Sequence, residues 1–129
     1  MNGHAEEAEK LLRVARRDIK AYKRLRDGGA DYAVSAKFYA QQAVEKCLKA
    51  AIVITNTPAP FSHDLKDLTR LAVSVGLQPP FSPAELDKLT PYAVMMRYDD
   101  EEIVSLSYSE ATQIVEGIYK WARGVVKEA

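Results

Sequence analysis

Between Asp31 and Thr55 the chain carries apolar residues on two helical stripes at once. Tyr32, Ala36, Tyr39, Ala43, Cys47, Ala50 and Ile54 follow one another at steps of three and four, and Val44, Leu48 and Ile52 form a second row. A surface helix needs only one such stripe, so a helix apolar on more than one side is enclosed by its neighbours. The alanines in the first stripe allow those neighbours to come close. This segment therefore predicts a buried central helix over residues 32–55, with Asp31 as its N-cap.

The rest of the chain supplies helices to surround it. In residues 5–27, Ala8, Leu11, Leu12, Ala15, Ile19, Tyr22 and Leu25 make one apolar face, and Gly28-Gly29 supplies a left-handed end. Pro58 and Pro60 mark a loop. Ser62 is then expected to cap a short third helix with Asp64 in its first turn and Leu65, Leu68, Leu71, Ala72 and Val75 inward. Gly76 and Pro79-Pro80 end it. Ser82-Pro83-Ala84-Glu85 reads as a capping box opening a fourth helix through Leu86, Leu89, Ala93 and Met96 to about Tyr98. Pro91 falls inside it and predicts a kink or restart near Thr90. Asp99 to Leu106 is a short acidic connection. Ser107-Tyr108-Ser109-Glu110 is a second capping box, and residues 108–127 predict the last helix with Ala111, Ile114, Val115, Ile118, Ala122 and Val125 inward. No segment alternates as a strand does. The expectation is an all-α, up-and-down bundle of about five helices in a single domain spanning residues 1–129.

Composition narrows the function. An apolar fraction of 47% with 18 basic and 18 acidic residues is that of a folded domain and excludes a disordered polyelectrolyte. With zero formal net charge, any contact with nucleic acid must come from a local patch. The N-terminus holds Glu6, Glu7 and Glu9 where a leader would be apolar, and the longest apolar run, Ala50 to Ile54, is far too short to cross a membrane. A cytoplasmic location without membrane association is expected. The one cysteine, Cys47, lies on the buried stripe and reads as a packing residue. Cys47, His4 and His63 are too few for a zinc site, and no phosphate loop or dinucleotide fingerprint occurs, so neither metal nor cofactor is expected.

Three features carry chemistry. Residues 10–26 hold eight basic residues against one acidic residue, Asp18. Of these, Lys10, Arg13, Arg17, Lys20 and Arg24 recur at steps of three and four opposite the apolar face. That row suits phosphate contact, or is a plain solvated surface. Second, Arg97-Tyr98-Asp99 sits at a helix end before Asp100, Glu101 and Glu102. A guanidinium beside an aromatic ring suits phosphate and base recognition, carboxylates in a run suit a hard cation, and Arg97 pairing with its own carboxylates is the simpler alternative. Third, His63 at the start of a helix is an acid–base candidate or a capping residue. Met95, Met96, Tyr98, Tyr108, Tyr119 and Trp121 offer either core or a partner surface, and a plain protein-interaction module remains an alternative reading.

With these residues in view, the chain resembles the HEPN domain family (higher eukaryote and prokaryote nucleotide-binding domains). The similarity rests on Tyr32 to Ala50, with its AxxAxEKxLKA character from Ala40 to Ala50, on Ser62-His63-Asp64-Leu65, and on Arg97-Tyr98-Asp99. The resemblance implies a helical bundle, commonly a homodimer. Small prokaryotic members are often encoded beside a minimal nucleotidyltransferase in a toxin–antitoxin arrangement. Matched positions bearing charge or a ring, namely Arg97, Tyr98, Asp99, His63, Glu45, Lys46 and Lys49, become candidate ligand-binding residues for a nucleotide or RNA. Many members are metal-independent RNases with an arginine followed, four to six residues later, by histidine. Counting from Arg97, those positions are Glu102, Ile103 and Val104, and no other arginine meets the pattern. The expectation is a non-catalytic module, with a departed RNase site centred on Arg97 and His63 as the alternative.

Overall fold

The computed structural model describes residues 3–95 and 106–128. They form α1 (Gly3–Asp27), a 3-10 turn (Ala30–Tyr32), α2 (Ala33–Ile54), α3 (Leu65–Ser74), α4 (Pro83–Asp87), α5 (Tyr92–Met95) and α6 (Tyr108–Glu128), with no strand among the described residues. The all-α bundle expected from periodicity is the observed architecture. In α2, 13 side chains are buried, against four in α1 and six in α6. The helix packs against α1, α3, α5 and α6. Ala36, Ala40, Ala43, Ala50 and Ala51 are almost fully covered, and their small side chains let α1 and α6 close on the helix.

Several ends differ from the sequence reading. The N-cap of α2 is Tyr32 rather than Asp31, because residues 30–32 first wind into a 3-10 turn. Tyr32 is therefore half-exposed instead of heading the buried stripe. The cap of α3 is Asp64, which accepts from Lys66 N (2.9 Å) and Asp67 N (3.2 Å) and so stands outside the first turn. Ser62 caps nothing; its hydroxyl accepts from Asp64 N instead. The fourth helix restarts, as the proline suggested. Pro91 has no N–H to continue the ladder, so the chain passes through tight turns at 88–91 and resumes as α5. Ser82 and Glu85 form the expected reciprocal box. Only half of the second box forms: Ser107 Oγ accepts from Glu110 N, while the Glu110 carboxylate reaches Lys88. Near the end of α6, Val126 rather than Val125 is buried, packing with Ala8, Ala50 and Val53.

The start of α3 is the join that positions the site. Leu65 N donates to Thr90 Oγ1 (3.2 Å), and Gln41 Nε2 of α2 donates to the His63 carbonyl (3.3 Å). The residues before α3 are thus pinned to α2 on one side and to the α4–α5 turn on the other.

Candidate functional site

Glu45 is the centre of a polar group on the otherwise apolar α2. Its side chain is 6% exposed, and it is fully bonded. Oε1 accepts from Gln41 Nε2 at 3.1 Å, one turn earlier, and Oε2 accepts from Lys49 Nζ at 3.0 Å, one turn later. The His63 Nδ1 lies 3.0 Å from both oxygens. Burial by itself would raise the Glu45 carboxyl, but the bonds from His63, Lys49 and Gln41 outweigh it and hold the group below the ordinary glutamate range. An ionised carboxylate only accepts, so Nδ1 carries the proton in this pair and Nε2 of a neutral ring holds the lone pair. The imidazole is 71% exposed. A carboxylate behind a histidine whose other nitrogen meets solvent is an arrangement able to accept or return a proton.

The structure brings His63, Glu45 and Lys49 together and adds Gln41. A buried glutamine among alanines was the signal for it. Lys46 turns the other way and donates to Asp18 Oδ2 of α1 (2.6 Å) and to Gln42 Oε1 (3.4 Å). Gln42 Nε2 in turn donates to Gln41 Oε1 (2.7 Å). One ladder of polar side chains therefore runs from Asp18 across α2 to His63. Beside His63 an open cleft of about 400 Å³ is lined by Asp64, Asp87, Thr90, Pro91 and Val94. Arg97, Tyr98 and Asp99, like Met96 and the acidic residues 100–102, lie outside the described residues.

The basic row on α1 is intact as a surface. Lys10, Arg13, Arg17, Lys20 and Arg24 are all exposed. The ion pairs formed among the described residues use Lys23, Arg26, Lys46, Lys49, His63 and Lys88 and none of these five. The one acidic residue within residues 10–26, Asp18, is committed to Lys46. At 1.5 Å per residue the five cations extend over roughly 21 Å.

Other candidates resolve into structure. Cys47 is buried, and burial pushes its thiol far above the ordinary range, Asp18 adding to the effect. Tyr108 donates to the Gly29 carbonyl (2.9 Å), and Tyr119 and Trp121 rest half-buried on the core. Among the described residues no group of three or more metal-ligating side chains converges. No described helix is long and apolar enough to cross a membrane.

A family model for the HEPN domain matches residues 8–125. The chain belongs to the HEPN domain family. No curated protein and no solved structure matches it. The HEPN match runs from α1 to the last turns of α6, so the α1 row, the Glu45–His63 pair and the cleft beside it all fall within the domain.

Proposed function

We propose that this HEPN domain is a non-catalytic module that associates with RNA through the α1 row. Five exposed cations in one line, none held by a described carboxylate, carry the reading. Such a row neutralises successive phosphates and owes its affinity to counterion release. The wider setting proposed is a homodimer working beside a minimal nucleotidyltransferase in a toxin–antitoxin arrangement, an extension resting on the family alone. Fluorescence anisotropy with a single-stranded RNA tests the central claim. Five phosphate contacts give a slope of log affinity against log salt of roughly −3.5. Replacing Arg13, Arg17 and Lys20 by glutamate should abolish binding while the helical spectrum stays. Binding insensitive to salt, or unchanged in that variant, refutes the reading. Co-expression with an adjacent nucleotidyltransferase and sedimentation of the purified chain test the partner and the dimer.

A second reading, an RNase with a departed site, is favoured by one observation: Nδ1 of His63 is fixed on Glu45 while the ring stays exposed. In it His63 moves the proton of an attacking 2′-hydroxyl and Arg97 holds the phosphate. RNA cleavage by the wild type that survives in His63→Ala and Arg97→Ala, or no cleavage at all, removes this reading and leaves the first.

A further inference from the structure

The outer face of α6 borders an open groove of about 650 Å³, closed on its other side by the segment that leads into α4. Pro80, Phe81, Trp121 and Val125 form its apolar walls, and its charged residues are Lys120 and Glu128. Neither of these two forms an ion pair with a described residue. Two glycines lie on the same face, seven residues apart, and a glycine inside a helix is unfavourable. Gly117 has its reason within the chain. A Cβ there would stand 2.8 Å from Phe81 Cε2, so the ring rests against bare helix backbone. Gly124 has no such reason: a Cβ built on it meets nothing within 4 Å. The seat that Phe81 fills at Gly117 is thus repeated at Gly124, beside Trp121, with no side chain of this chain upon it.

The residue order on α6 shows what fits that seat. A twofold axis makes both copies use the same patch, so the face must complement itself. Two α6 helices laid antiparallel about an axis between residues 122 and 123 bring Trp121 of each copy level with the partner's Gly124. In that register Lys120 stands level with the partner's Val125, three residues from the partner's Glu128. At 1.5 Å per residue the offset is about 4.5 Å, within the reach of a lysine side chain. One register therefore seats a ring on a glycine twice and sets a cation beside an anion twice. A parallel pairing would put Lys120 against Lys120 and Glu128 against Glu128. The bare backbone at Gly124 lets the second helix come close enough for the ring to be covered.

We propose that this face of α6 is the twofold interface of a homodimer, with Trp121 of one copy seated on the partner's Gly124 and Lys120 paired with the partner's Glu128. The homodimer itself rests on the reading above; the face, the register and the residue pairs go beyond it, and neither the α1 row nor the His63 cleft takes part. The test is sedimentation of the full chain over a range of concentrations. Wild type should be dimeric at the upper end. Gly124→Leu should be monomeric there, and its melting temperature at high dilution should not fall below that of wild type, since nothing in the chain occupies that space. Symmetry doubles each change of charge, so Lys120→Glu and Glu128→Lys should each lose the dimer alone. Mixed with one another they should regain it, because every pair is then opposite in sign, and the chain carrying both substitutions should dimerise by itself. A loss of helix stability would not produce that recovery. A wild type that stays monomeric throughout refutes the homodimer and this interface together. A wild-type dimer that persists in Gly124→Leu, or charge variants that do not recover on mixing, refutes the interface and leaves a homodimer formed through another face.

Discussion

The His63 imidazole meets both oxygens of Glu45 at 3.0 Å, joining a loop before α3 to the middle of the most buried helix. The contact is asymmetric. Glu45 is enclosed and bonded from three sides, whereas His63 faces solvent. The carboxylate holds the ring, and the fold holds the carboxylate.

Glu45→Gln removes the charge that Lys49 and His63 both approach. It should destabilise the chain by about 1–3 kcal/mol at neutral pH, the usual penalty for breaking a buried charged bond. Urea unfolding measures it.

The pH dependence follows from the same group. The folded-state carboxyl is held below its unfolded value, so the unfolded chain takes up the proton first as pH falls. The Glu45 contribution is complete above the unfolded value of about 4.3 and is lost below it, as pH drops through the folded value. Thermal melts should therefore show a steeper acid-side decline in wild type than in Glu45→Gln. Parallel acid limbs would show that other carboxylates govern it.

Asp64→Ala takes away the acceptor for Lys66 N and Asp67 N. The expected loss is about 1 kcal/mol, with Asp64→Asn nearer wild type because asparagine also caps. Because the His63 backbone adjoins that cap, the His63 ring resonances should shift in the alanine variant.

Ala43→Leu forces a larger side chain where α2 is 1% exposed. Overpacking of this kind destabilises by roughly 1–3 kcal/mol. The denaturation midpoint should fall, whereas the same change at exposed Ala84 should leave it almost unmoved.

Cys47 should resist thiol reagents in the native state, since burial keeps it protonated and covered. Its labelling rate should rise with denaturant in step with unfolding. Rapid labelling of the folded chain at neutral pH would contradict that burial.

The amino-acid order alone determined the helical class, the central place of α2, the break at Pro91 and the basic row of α1. Each follows from periodicity or from a residue's own covalent limits, which hold wherever the segment lies. It did not determine which end residue caps which helix. Asp31, Ser62 and Asp64 all suit an N-cap, and the choice among them fell to the 3-10 turn and to the bonds that tie His63 and Leu65 to Gln41 and Thr90. Nor could it separate Lys37, Lys46 and Lys49, three lysines on one helix. Lys49 reaches Glu45 within the same helix, one turn away, but only tertiary structure sent Lys46 to Asp18 and Lys37 between two tyrosines. Helix periodicity specifies the face a side chain occupies, whereas the partners that Lys46 and Lys37 meet come from segments 28 to 71 residues away and exist only once the bundle has closed.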